Sequence, residues 1–173
     1  MRFAGQKKRT AGLLLCLVAA ALCGCAGSGP RTAGVSDRGW VAREILDTPP
    51  YAAFRAGYDS AKITPEFIPM IRNVREGVEV TIFFGGWCPD SKREVPRFLK
   101  LADASGFPAS GIKLYALDRT KKSDDGLTDR YRIERIPTFI FLKEGKEIGR
   151  ITESPSTTLE GDVLTILARG LQP

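Results

Sequence analysis

The stretch Gly85-Gly86-Trp87-Cys88-Pro89-Asp90-Ser91 constrains this chain most, because it joins a strand-like run directly to a helical one. Val78, Val80, Ile82 and Phe84 alternate with Glu79, Thr81 and Phe83, the two-residue period of a mostly buried strand. The two glycines end that run. Pro89 then stands where the first helical turn begins, a position that tolerates a missing N–H. Val95, Phe98, Leu99, Leu101 and Ala102 recur beyond it at helical spacing, with charges between them. Cys88 is thereby placed at a helix N-terminus. Unpaired backbone N–H groups and the positive end of the helix dipole favour a thiolate there, which makes the sulfur a nucleophile.

The beginning of the chain reads as an address. Arg2, Lys7, Lys8 and Arg9 form a positive n-region, and residues 11–22 form an apolar h-region. That run is shorter than the about 20 apolar residues a membrane span needs. Leu22-Cys23-Gly24-Cys25 follows and resembles a bacterial lipobox, which implies a lipid-modified Cys25 as the first residue after cleavage. Ordinary signal-peptidase cleavage nearby is the alternative. Ala26 is not the Asp that retains some lipoproteins at the inner membrane, so the expectation is an outer-membrane lipoprotein facing the periplasm of a bacterial cell envelope. The division expected is a signal over residues 1–24, a lipidated cysteine and Gly/Ser/Ala-rich flexible tether over 25–38, and one domain over 39–173.

Removing the leader changes what the composition means. The four basic residues it carries take the basic count from 26 to 22 against 20 acidic residues, and the net charge from +6 to +2. No basic patch interleaved with exposed aromatics remains, so nucleic acid is not an expected partner. The chain has no histidine, which excludes a Cys-His hydrolase and an imidazole metal site. Of the four cysteines, Cys16 and Cys23 leave with the leader and Cys25 would carry lipid. Cys88 then remains alone, without an internal disulfide partner; only an unlipidated Cys25 at the end of its flexible tether would leave a Cys25–Cys88 bridge conceivable. One thiol without histidine is a poor zinc site, and no metal or other cofactor is expected.

Between tether and core, a short helix is expected over 40–46, interrupted by Thr48-Pro49-Pro50, and a further turn or two over 51–58. Thr64-Pro65 reads as an N-cap and N1 proline for a helix over 66–75. The aromatics of this region are expected to pack on the sheet rather than to bind a cofactor. Beyond the Cys88 helix, residues 112–117 read as a strand. Residues 119–126 read as a charged, solvated loop whose Asp124 and Asp125 lack the spacing of a calcium loop. A short helix is expected over 127–131. Phe139-Ile140-Phe141-Leu142 is an apolar strand, and Glu144-Gly145 turns it into a partner over 147–151. Thr157-Thr158-Leu159-Glu160 resembles a capping box that opens a last helix.

Strand, Trp-Cys-Pro-X-X and helix, followed about fifty residues later by Arg135-Ile136-Pro137-Thr138, a strand, a tight turn and a second strand, resemble the thioredoxin-like family. The similarity runs over roughly residues 75–170. It implies an α/β, thioredoxin-like fold, with a mixed central sheet flanked by helices on both faces; here it would carry an N-terminal helical extension. It also implies that Pro137 is cis and packs against the Cys88 sulfur. Trp87, Pro89, Ile136, Pro137 and Thr138 would form the substrate groove, with a partner chain added as an extra strand along Pro137 and Thr138.

Two positions depart from the family pattern. Ser91 stands where dithiol members have the resolving cysteine, leaving a Cys-X-X-Ser motif, although its hydroxyl can hydrogen-bond the Cys88 sulfur. Ile82 stands where they usually keep a buried aspartate. Lys92 and Arg93 add positive charge close by, and Asp90 opposes them.

Two functions follow. One is a tethered thiol-disulfide oxidoreductase that uses Cys88 alone, with Ser91 assisting. It would act on a protein disulfide or thiol, and an outside thiol (a small one or another protein's) would finish the reaction. A variant of it has Cys88 sensing peroxide through a sulfenic acid. The other function is a catalytically inactive binding or scaffold domain that has merely kept the cysteine.

Overall fold

Strand β2 (Val78–Phe84) is the middle of a five-stranded sheet, and its composition says why. Six of its seven residues are buried, as suits a strand covered on both sides. The structure, a computed structural model, describes residues 38–172; the leader, Cys25 and the tether expected up to residue 37 lie outside them. The sheet adds β1 (Gly39–Val41), β3 (Ile112–Ala116), β4 (Thr138–Lys143) and β5 (Lys146–Thr152), in the order β1-β3-β2-β4-β5. Strands β2 and β3 run parallel, whereas the β1–β3, β2–β4 and β4–β5 pairs are antiparallel, so the sheet is mixed as expected. Glu144 and Gly145, both at positive φ (51° and 75°), form the tight turn between β4 and β5.

Among the described residues five helices complete the domain: α1 (Ala52–Ser60), α2 (Phe67–Val74), α3 (Pro89–Ser105), α4 (Leu127–Arg130) and α5 (Leu159–Arg169). They are shared unequally between the faces. Val80, Ile82, Phe84, Leu114, Phe139 and Phe141 form one cluster with Phe54 of α1, Ile71 of α2, Phe98 and Leu99 of α3, and Val163 and Leu167 of α5. On the opposite face Phe83, Tyr115, Ile140 and Leu142 meet Cys88, Leu117, Ile133 and Ile136, with Trp87, Leu127 and Tyr131 packed at the margin. That face is covered by the one-turn helix α4 and its loops. Among the described residues no helix is long and apolar enough to cross a membrane.

Several expectations need correction. Residues 40–46 are not a helix: Trp40 lies in edge strand β1 opposite Tyr115, its ring edge-on at 5.0 Å, and a 3-10 turn (Arg43–Asp47) follows. Pairing with a strand over seventy residues away overrides the local apolar spacing. Arg38, expected at the end of the tether, is fastened to Asp118 and Asp124 at 3.2 and 3.1 Å. Thr64 does not cap α2. Its carbonyl accepts the Phe67 N–H in a preceding turn, and its own N–H donates to the buried Glu160 carboxylate at 3.0 Å.

Glu160 is therefore spent on the N-terminal extension, and the cap of α5 moves by one residue. Thr158 Oγ1 accepts the Gly161 N–H at 3.1 Å, while Asp162 reaches back to the Ser156 and Thr157 N–H groups. The acids of the 119–126 loop have structural partners. Asp125 accepts from the Tyr115 hydroxyl and the Leu127 N–H at 3.0 and 3.1 Å.

Candidate active site

The corner between β2 and α3 is built from the backbone outward. The Cys88 N–H donates to the Gly85 carbonyl at 3.0 Å, closing a turn that brings the chain from strand to helix. Cys88 is the N-cap residue of the 17-residue α3, with Pro89 at N1, as the sequence places them. The turn needs its glycines for lack of space. A Cβ on Gly85 would stand 2.8 Å from Trp87 Nε1 and 2.9 Å from Ile136 Cδ1, and one on Gly86 would stand 2.8 Å from Tyr51 Cε1. Trp87 is half-buried, and its indole N–H donates to the Leu117 carbonyl at 3.0 Å. Leu117 is itself fixed by its N–H to the Phe84 carbonyl, so the Trp87 ring is tied to the end of β3.

The second loop meets the first at the sulfur. The Ile136–Pro137 bond is cis, and the Cys88 thiol donates to the Ile136 carbonyl oxygen at 3.4 Å. The Pro137 carbonyl accepts the Glu153 N–H at 2.7 Å, and the Thr138 hydroxyl donates to the Arg135 carbonyl at 2.7 Å, closing the loop on itself. Thr138 already lies inside the sheet, opposite Phe83 on one side and Thr152 on the other. Cys88, Ile136, Pro137 and Thr138 are all buried, with Cys88 only 6 % exposed, whereas Pro89 is exposed.

The structure gives Ser91 a different hydrogen bond from the one expected. Its hydroxyl is buried and accepts the Gly85 N–H at 3.2 Å, so its partner is the backbone of the turn rather than the Cys88 sulfur. Ser91 thus holds the β2 end of the turn, six residues back. Ile82 is fully buried among aliphatic and aromatic side chains, which leaves no acid at that position.

The charges near the corner are mostly committed. Arg93 pairs with Asp90 and Glu94, each at 2.7 Å, and donates to Ser154. The hydrogen bond to Glu94, followed by that to Asp90, holds the Arg93 guanidinium above its ordinary range. Arg135 pairs with Glu153 at 2.9 Å. Asp118 is held below the usual carboxylate range by the Thr120 hydroxyl and backbone N–H, with Arg38 adding to the effect. Arg119, which sequence reading assigned to a solvated loop, lies over the Trp87 ring at 4.9 Å. Tyr51, Leu117 and Arg119 are the residues of this corner that sequence reading missed. The Gly85-Gly86 pair was the available signal for Tyr51, since adjacent glycines beside a bulky residue announce a close approach.

Comparison with known proteins agrees with this architecture. A family model described as Thioredoxin matches residues 51–163, more than half of the chain. The chain is 25% identical over 99 residues to thioredoxin-like protein R548 of Acanthamoeba polyphaga mimivirus, covering 57% of this chain and 69% of that one. It is 25% identical over 101 residues to a thioredoxin H-type of Oryza sativa subsp. indica, covering 57% and 78%. Among solved structures it resembles a Pseudomonas aeruginosa protein of unknown function (TM-score 0.51, 17% identity, covering 69% and 82%). An HIV epitope-scaffold is similar in the same way (TM-score 0.54, 16% identity, covering 76% and 92%). The two structural likenesses speak for the fold alone; the family match spans the Cys88 corner and the cis-proline loop together. The chain belongs to the thioredoxin family.

Proposed function

We propose that this protein is a membrane-tethered thiol-disulfide oxidoreductase of the cell envelope that works through Cys88 alone. The observation that carries the reading is the meeting of two backbone features at one sulfur: the N-terminus of α3 and the Ile136–Pro137 loop, whose carbonyl lies 3.4 Å from Cys88 Sγ. In the first step the Cys88 thiolate attacks one sulfur of a partner disulfide. That S–S bond breaks, a Cys88–partner disulfide forms, and the second partner sulfur leaves as a thiolate that takes up a proton. In the second step an outside thiolate attacks the partner sulfur of the mixed disulfide. Cys88 is released unchanged, and the outside thiol ends joined to the partner.

Ser91 cannot perform the second step, having no sulfur to give. Its role is to hold the turn through the Gly85 N–H. Trp87 and the Ile136-Pro137 edge line the groove for the partner segment. Thr138 already pairs with two strands, so any strand-like contact falls to Ile136. The tether and lipid on Cys25 would keep the domain at the outer membrane, facing the periplasm. This part rests on the leader and lipobox pattern of residues 1–25.

A second reading has one observation in its favour. Cys88 is 6 % exposed and its thiol hydrogen is engaged by Ile136, as suits a domain that binds a partner without turnover. Alkylation separates the two. The full chain in detergent micelles is treated with iodoacetamide across a pH series, and modification of the Cys88 peptide is read by mass, folded and in urea. The redox reading expects Cys88 to react faster in the folded chain than in the unfolded one at mildly acid pH. Reaction only after unfolding would leave the binding domain.

A further inference from the structure

The N-terminal extension packs closely against the Cys88 corner on two sides, at Gly86 and at the first turns of α3. We infer that residues 49–60 are a brace for the nucleophile, with Tyr51 as its positioning residue; this rests on the reading of Cys88 as the reacting sulfur. On the strand side, the buried Tyr51 ring lies so close to Gly86 that a Cβ there would stand 2.8 Å from Tyr51 Cε1 and 3.3 Å from Cζ. The ring is backed by Phe54 at 5.6 Å and Phe84 at 6.2 Å, so it cannot retreat without opening the core.

On the helix side, α1 lies against the first turns of α3 through Gly57. A Cβ on Gly57 would stand 2.8 Å from Pro96 Cγ and 3.2 Å from the Lys92 carbonyl. Pro96 has no N–H, so that carbonyl, inside α3, lacks its helical donor. Lys92 in turn donates its N–H to the Cys88 carbonyl at 3.0 Å. The extension therefore bears on the residue two before the sulfur and on the turn hydrogen-bonded to Cys88. A side chain held in this way keeps the sulfur in line with the helix end, and small displacements there carry large penalties in rate.

The test uses the full chain in micelles with Tyr51→Ala and Tyr51→Phe. Two quantities are read: hydrogen exchange of the amides at 86–92, and the pH profile of alkylation at Cys88. In Tyr51→Ala, exchange of that segment is expected to quicken by about tenfold while α5 and β4 keep their protection. The Cys88 rate is expected to change by about tenfold, with a displaced pH profile. Tyr51→Phe keeps the ring and is expected to stay within about twofold of the parent on both readouts.

If Tyr51→Ala does not fold, Tyr51→Leu carries the same expectation, since it fills the core without reaching Gly86. Unchanged exchange at 86–92 in the variant that lacks the ring overturns the brace. So does quickening spread evenly over the domain, or a loss in Tyr51→Phe equal to that in Tyr51→Ala. An inert Cys88 in the parent chain defeats the redox reading instead, and the exchange measurement still decides the brace.

Discussion

The two faces of the sheet differ in how they are stabilised. One is covered by α1, α2, α3 and α5 and is filled with Phe54, Phe84, Phe98, Phe139 and Phe141, all at most 1% exposed. The other has α4 and a run of loops over a small cluster, and that cluster contains Cys88. The thick face acts through burial, roughly 25 cal/mol for each Å² of apolar surface removed from water. The thin face acts through backbone hydrogen bonds and steric fit: Cys88 to Gly85 and Ile136, Trp87 to Leu117, Ser91 to Gly85. Division of labour follows from this. Burial holds α3 in place, while the hydrogen bonds and close packing of the turn decide where its N-cap residue puts a sulfur.

The same substitution on each face tests that contrast at its largest. Leu99→Ala on the thick face empties a site enclosed by α3 and its neighbours, and should cost about 3–4 kcal/mol in urea unfolding. Leu142→Ala on the thin face sits where a thin cover can collapse into the gap, and should cost about 2 kcal/mol. Equal losses would erase the distinction between the faces.

Adding one methyl group probes the steric fit of the thin face from the other side. Gly85→Ala forces a Cβ within 2.9 Å of both Trp87 and Ile136, and is expected to destabilise by about 1–3 kcal/mol with a change in Trp87 fluorescence. An unaltered Trp87 spectrum would show that the thin face yields to an added atom, and steric fit would then not be what fixes the corner.

The smallest expected effect is electrostatic and belongs to the lock between extension and core. Burial pushes the Asp103 carboxyl up, but hydrogen bonds from Arg43 at 2.6 and 2.7 Å and from Tyr58 at 2.7 Å together hold it below the usual carboxylate range. A carboxyl lowered in the folded state stabilises above its unfolded value, about 3.9, and that contribution is lost as pH falls through the folded value. The pair is over a third exposed, so screening limits it to about 0.5–1 kcal/mol. Asp103→Asn should therefore lower stability slightly at neutral pH and flatten its fall in acid. A parallel acid limb in both proteins would mean that Asp103 does not tie the extension to the core.

The sequence made the Cys88 corner legible because it changes period there, from alternation in β2 to helical spacing in α3 across Gly85-Gly86. The Ile136-Pro137-Thr138 loop was legible through its resemblance to the family, as was the sheet with helices around it. The unequal cover of the two faces was not, since a helix of four residues leaves too short a pattern to weigh. Strand β1 was missed for a related reason: three residues carry no period, and Trp40 is placed by Tyr115 rather than by its neighbours. The cap of α5 was off by one because Glu160 is claimed by Thr64, 96 residues away. Ser91 illustrates the same limit inside the site, since its partner is chosen by the geometry of a turn. In each case a long-range or backbone contact outweighed a locally sound reading.

In the proposed reaction one sulfur, Cys88, forms a mixed disulfide that an outside thiol must release. The most direct measurement treats the full chain in micelles with oxidised glutathione as probe, follows the mass of the Cys88 peptide, and then adds reduced glutathione. The single-cysteine mechanism predicts an adduct on Cys88 that forms faster in the folded chain than in urea and disappears when the second thiol is added. An adduct that appears only on unfolding, or one that the second thiol cannot remove, would contradict it.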